Sequence, residues 1–220
     1  MPSGEQENRK RVLIVDDHPI TRAGLAQLIN HQPDLEVCAE ADTASNALAA
    51  LNGYKPDLVV VDITLPDKSG LELIKDITAL RPGLPILVIS MHDESLYAER
   101  ALRAGARGYI TKREGGRKLT QAIRTVAGGK IYLSEGMAGQ ILEVFSGGYR
   151  ARSPIQRLSD REFEVFELIG EGLPTNEIAT KLHLSAKTVK AHRANIKRKL
   201  NLKTITELIS FAARWIENRK

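Results

Sequence analysis

The sequence predicts a doubly wound α/β domain on a five-stranded parallel sheet, followed by an all-α four-helix domain. Three observations predict it. Between Arg11 and about Ala127, five short β-rich runs alternate with longer stretches whose apolar residues recur at helical spacing. The runs are continuously apolar rather than alternating, which calls for burial on both faces, and hence a parallel sheet with helices on each side. Beyond residue 158, capped helical patterns follow one another and no strand pattern occurs.

The five runs are RVLIV, LEVCAEA, LVVVD, PILVIS and GYIT, and between them lie segments such as PITRAGLAQLIN and GLELIKDITAL. Right-handed crossovers place the C-terminal end of every strand along one edge of the sheet, where a ligand should bind. The Gly pair in VAGGKIYLS punctuates the end of the fifth helix, and SEGMAGQILEVF adds one more helical pattern. SGGYRARSPIQR has no apolar period and reads as a linker. The expected boundaries are 10–130 for the α/β domain, 131–157 for helix and linker, and 158–220 for the helical domain. In the last part Ser159 or Asp160 opens the first helix, Gly170 or Gly172 closes it, and Thr175, Ser185 and Thr204 open the next three.

Composition fits this division. The 220 residues are 42% apolar and 27% charged, a normal globular mix. No window approaches the ~18 unbroken apolar residues of a membrane span, and MPSGEQENRK lacks a secretory signal's apolar core, so a soluble, cytoplasmic protein without a membrane partner is expected. The single cysteine, Cys38, cannot form an internal disulfide and reads as a small core residue. Up to Ser146 there are 17 Lys and Arg against 19 Asp and Glu, a balance of −2; from Gly147 there are 15 against 8, or +7. The basic excess lies in the helical domain, as for a part that meets a polyanion.

Chemistry gathers at the sheet edge. The first strand delivers Asp16 and Asp17, the third Asp62 and the fourth Ser90, while Lys112 follows the fifth. Converging carboxylates repel one another and call for a cation, and hard oxygen ligands suit Mg²⁺, which also takes phosphate oxygens. A carboxylate beside such an ion is a competent nucleophile towards phosphorus, with Lys112 and Ser90 placed to contact phosphoryl oxygens. His18, next to Pro19, reads as a helix-start residue, since Mg²⁺ prefers oxygen.

Residues Arg11 to about Ala127 resemble the receiver domain of two-component response regulators, in VDDHP after the first strand, Asp62 followed by Pro66 and Gly70, VIS closing the fourth strand and GYITK the fifth. The resemblance implies a flavodoxin-like fold and casts Asp62 as phosphoacceptor for a sensor histidine kinase. It implies Mg²⁺ (or Mn²⁺) on Asp17, Asp62 and the Thr64 backbone carbonyl, with Asp16 acting mainly through water. Ser90 becomes the hydroxyl that turns to the phosphoryl group, Lys112 its cation, and Tyr109 the aromatic whose rotamer reports phosphorylation. Arg113 stands where many receivers have proline, which weakens the case for a cis peptide there, and Ser90 replaces the commoner threonine. Thr64 and His92 are candidates for setting the rate of phosphoryl hydrolysis.

In TNEIATKLHLSAKTVKAHRANIKRKL, two helices join at a short turn around His183 to Ser185. Ile178, Ala179 and Leu182 line one apolar face, and Val189, Ile196 and Leu200 the other. Lys187, Lys190, His192, Arg193, Lys197, Arg198 and Lys199 lie between, as on a basic recognition helix. Ser185 and Thr188 sit where free backbone N–H groups favour phosphate. The segment also resembles the LuxR-type helix-turn-helix, in REFEV, EIA, TVKAH and KL. Together the two halves are similar to a NarL/FixJ-type response regulator, which implies double-stranded DNA as partner and a homodimer when phosphorylated. Lys190 falls where relatives read bases; Thr188, His192, Arg193 and Lys197 fall at backbone contacts. Ala191 and Ala194 replace larger base-reading side chains, and Ala191 can meet a thymine methyl. Two rivals remain. An aspartate-based phosphatase needs an acid two residues after its nucleophile, where this chain has Thr64. An interaction module would use the helical domain to bind protein.

Overall fold

The computed structural model describes residues 9–92, 94–134, 136–139 and 154–217. The chain divides into two compact units, Met1–Leu142 and Glu143–Lys220.

In the first unit five parallel strands lie in the order β2-β1-β3-β4-β5. They are β1 (Lys10–Val15), β2 (Leu35–Ala41), β3 (Leu58–Val61), β4 (Ile86–Ser90) and β5 (Gly108–Thr111). Helices α1 (Pro19–Asn30), α2 (Ala44–Tyr54), α3 (Gly70–Leu80), α4 (Glu94–Ala104) and α5 (Gly116–Ala127) follow them in turn. The strand order reverses between β1 and β3, which makes the crevice between them the topological switch point. β1 from Val12 to Val15 and all of β3 are fully buried, so the central strands are held rigidly.

The edges differ from the expectation. The run LEVCAEA forms strand β2, but as an edge strand its interior is half-exposed. Its register against β1 slips between Val12 and Leu13, leaving Cys38 as the extra residue of a bulge. Cys38 is therefore half-buried at a sheet edge and not a core residue, and burial still pushes its thiol pKa up. At the other edge the chain does not leave after the Gly pair. Tyr132 bridges back to Gly108 in parallel fashion and packs on the core. The expected helix SEGMAGQILEVF is described only at Ser134 and 136–139, the latter helical; the rest of it and most of the linker lie outside the described residues.

The second unit begins with a 3₁₀ turn, Pro154–Arg157, followed by α6 (Asp160–Gly170), α7 (Thr175–Lys181), α8 (Ala186–Lys199) and α9 (Ile205–Glu217). Ser159 starts α6 through a full capping box with Glu162. Pro174, not Thr175, is the N-cap of α7, so Thr175 becomes its first residue and frees its hydroxyl. Phe163 and Phe166 meet Trp215 edge-on at 5.7 and 5.5 Å and lock α6 onto α9. Ile178, Val189 and Ile196 are fully buried and fix α7 against α8.

Candidate functional site

Strand β3 stops at Val61, and Asp62 is the first residue beyond it, still tied to β1 because its N–H donates to Val15 O at 2.8 Å. The loop that follows must turn at once under α3. A side chain at Gly70 would overlap the Asp62 carbonyl, so only glycine lets α3 start there, and the Gly70 N–H donates to Ile63 O at 2.7 Å.

Asp62 is 3% exposed, and Asp16 and Ser90 not at all. The Lys112 ammonium lies 2.7 Å from Asp16 Oδ2 and 2.5 Å from Asp62 Oδ2, bridging the ends of β1 and β3 from beyond β5. One ligand atom from each of Asp16, Asp17, His18 and Asp62 lies within 4.8 Å of the others. Burial pushes the Asp62 carboxyl up, and the neighbouring Asp16 adds to this while Lys112 opposes it. Burial disfavours the Lys112 ammonium too, but Asp62 and Asp16 outweigh it and hold its pKa above the usual lysine value. The two shifts differ in origin: burial drives that of Asp62, and the two neighbouring carboxylates drive that of Lys112. A donor set of three carboxylates against one ammonium has a negative excess that fits a hard divalent cation.

His18 is the N-cap of α1, as its place before Pro19 predicts, and its Nδ1 also lies 2.6 Å from Asp17 Oδ1. Around the pocket the β4–α4 connection is held by His92. Its N–H donates to Ser90 Oγ at 3.2 Å, its Nε2 is 3.3 Å from Thr64 Oγ1, and its carbonyl accepts the Tyr109 hydroxyl at 2.9 Å. The Thr64 N–H reaches Asp62 Oδ1 at 3.4 Å. Tyr109 is fully buried, its ring turned inward. Sequence reasoning named each of these residues but missed that His92 joins Ser90, Thr64 and Tyr109. Among the described residues no peptide bond is cis, including the one between Lys112 and Arg113.

The basic helix is α8, N-capped by Ser185, whose Oγ accepts the Thr188 N–H at 3.0 Å and lies 2.8 Å from the Thr188 hydroxyl. Lys187, Lys190, Ala191, Ala194 and Arg198 are exposed at helical spacing and make one face. The other cations of the helix are engaged inside the unit. Arg193 Nη1 donates to Thr175 Oγ1 at 2.6 Å, Lys197 Nζ to Lys203 O at 3.1 Å, and Lys199 Nζ to Glu162 Oε2 at 2.6 Å. His192 is half-buried beside them.

Residues 12–124 match the response regulator receiver domain, and residues 156–212 match the bacterial regulatory proteins of the luxR family. The oxygen regulatory protein NreC of Staphylococcus carnosus is 36% identical over 92% of this chain and 96% of its own. The transcriptional regulatory protein UhpA of Escherichia coli is 41% identical over 90% and 94%. Among solved structures, RcsB from Salmonella enterica serovar Typhimurium, bound to promoter rprA in the presence of the phosphomimetic BeF3-, superposes with TM-score 0.62 at 26% identity, over 94% of this chain and 99% of that one. The response regulator ChrA of a heme-sensing system gives TM-score 0.52 at 32% identity, over 96% and 98%. The buried carboxylate cluster on a parallel sheet, the basic helix and these likenesses converge: the chain belongs to the NarL/FixJ-type two-component response regulators, a receiver joined to a LuxR-type helix-turn-helix.

Proposed function

We propose that Asp62 is the phosphoacceptor and that its phosphorylation by a sensor histidine kinase controls binding of α8 to double-stranded DNA. The observation that carries this reading is the buried triad of Asp62, Asp16 and Lys112, at 2.5 and 2.7 Å, in a pocket with an excess of carboxylates. Asp62 Oδ attacks phosphorus, the bond from phosphorus to the kinase's histidine nitrogen breaks, and the histidine leaves with the bonding pair. Asp17, Asp62 and the Thr64 carbonyl would hold Mg²⁺ or Mn²⁺, with Asp16 acting mainly through water, and the ion would supply positive charge to the phosphoryl oxygens. Lys112 turns from Asp62 Oδ2 to a phosphoryl oxygen, and the Ser90 hydroxyl turns to another. The modification adds about −1.5 to −2 charges if it ionises like other protein phosphates.

In the division of labour proposed, 10–130 is the receiver, 131–157 the helix and linker, and 158–220 the DNA-binding domain. Lys190 and Ala191 face bases; Thr188, His192, Arg193, Ala194 and Lys197 complete the DNA face, with Arg193 and Lys197 exchanging present partners for phosphate. A two-fold dimer of phosphorylated chains sets two α8 helices roughly 34 Å apart, one turn of DNA. That RcsB, which superposes over 94% of this chain, is bound to promoter rprA supports DNA as the partner. Among the described residues no helix is long and apolar enough to cross a membrane, in keeping with a cytoplasmic place. Turnover is not proposed, beyond slow loss of the phosphoryl group to water.

Acetyl phosphate with Mg²⁺ should add one phosphoryl mass to the wild type and none to Asp62→Ala, as read by intact-mass spectrometry. Modification of both proteins alike would sink the assignment, and rapid multiple turnover of acetyl phosphate would favour the phosphatase reading.

A further inference from the structure

We infer that Glu94 is a positioning residue that couples the phosphoacceptor pocket to the segment leading into the second unit; this rests on the reading of Asp62 given above. The pocket side of the link is His92, which Ser90, Thr64 and Tyr109 all hold. Two residues further on, Glu94 opens α4, and its Oε1 accepts the N–H of Ser134 at 2.9 Å across 40 residues of chain. Ser134 in turn starts the next helical turn. Its carbonyl accepts the N–H groups of Met137 and Ala138 at 3.1 and 3.0 Å, and its Oγ accepts that of Met137 at 3.3 Å.

The residues just before Ser134 are fastened to β5. The Tyr132 N–H donates to Arg107 O and the Tyr109 N–H to Tyr132 O, both at 3.0 Å. Gly108 permits this approach, because a Cβ there would lie 2.8 Å from Val126 Cγ2 and 3.0 Å from Tyr132 O. Tyr109 therefore grips the pocket side through its hydroxyl and the exit segment through its amide. When Ser90 turns to a phosphoryl oxygen, its Oγ no longer serves the His92 N–H, and the start of α4 must readjust. The carboxylate of Glu94 carries that readjustment to Ser134, by a charge-assisted bond stronger than a neutral one. Glu94 lies outside the carboxylate pocket, so replacing it leaves the phosphoryl chemistry intact.

The test uses full-length protein and a duplex selected from random DNA by the phosphorylated wild type. Its readout is the ratio of affinities with and without acetyl phosphate and Mg²⁺, while phosphate-affinity gels follow modification of Asp62. In Glu94→Ala, phosphorylation should proceed as in wild type while the ratio shrinks by about two- to thirtyfold, the effect of losing one link in a coupled network. Glu94→Gln, which keeps an oxygen acceptor, should recover most of the ratio. Hydrogen exchange gives a second measurement on wild type alone: Ser134 amide protection should change on phosphorylation. An unchanged ratio in Glu94→Ala overturns the inference, and if that variant does not fold, unchanged Ser134 exchange in wild type overturns it instead. A wild type that is phosphorylated but shows no change in DNA affinity overturns the switch reading itself, and the coupling with it.

Discussion

The two units use lysine in opposite ways. In the receiver, Lys112 is sunk between Asp16 and Asp62 and serves as a fixed charge in a largely buried pocket. On α8, Lys187 and Lys190 stand free in water, where a charge costs little to keep and stays open to a polyanion. Burial makes a charge specific to one neighbour, and exposure leaves it general. Within α8 both kinds occur, since Lys199 is committed to Glu162 only nine positions from Lys190. Counting cations along the helix therefore overstates the charge it leaves uncommitted at its surface.

The buried lysine gives the largest expected effect. Lys112→Ala leaves Asp16 and Asp62 without their cation, and breaking a buried pair by removing one partner costs about 3 kcal/mol. Urea denaturation should show that loss, with Mg²⁺ restoring part of it. Stability equal to wild type in metal-free buffer would mean that the pocket is wetter than its burial indicates.

The exposed lysine should act on binding and not on folding. Lys190→Ala is expected to weaken a specific duplex by about 1 to 3 kcal/mol if it reads a base, with the melting temperature unchanged. Lys199→Ala should do the reverse, lowering melting while leaving the slope of log affinity against log salt as it was. Arg193→Ala separates the two roles: a salt slope reduced by about one marks a phosphate contact, and weaker binding on an unchanged slope marks the Thr175 bond alone.

Much of this was legible in the sequence, and what was not has a common cause. Asp16, Asp17, Asp62, Ser90 and Lys112 were readable because each ends or follows a strand, and strand ends at one edge converge whatever lies between them. The edge position of β2 was only hinted at by Glu36 and Glu40 in LEVCAEA, and the pairing partners are what reveal which strand has one neighbour. The bulge at Cys38 has no local signature. Nor did periodicity show that Tyr132 returns to β5, since the Gly pair before it looks like a simple exit. Arg193 with Thr175, and Glu94 with Ser134, are contacts between distant positions, and composition treats their side chains as solvated charge.

The smallest effect concerns Asp67, which extends the comparison to an exposed carboxylate. Its oxygens accept the N–H groups of Ala44 and Ser45, both at 2.9 Å, and the Ser45 hydroxyl at 2.8 Å, so the loop after Asp62 caps α2. Burial works against the charged form, but those three donors outweigh it and hold the carboxyl below its ordinary value. A depressed folded value means stability that is present above the unfolded aspartate pKa of about 4 and is lost as pH falls through the folded one. Asp62 runs the other way: its raised folded value costs stability at neutral pH and returns it as pH falls. Asp67→Asn should therefore cost at most about 1 kcal/mol at pH 7, because solvent screens an exposed carboxylate, and nothing once the pH lies below both values. Asp62→Asn should stabilise at pH 7, with the gain fading in acid. Melting curves of the two variants against pH should approach wild type from opposite sides, and curves that stay parallel to it would mean that neither carboxylate is coupled to folding.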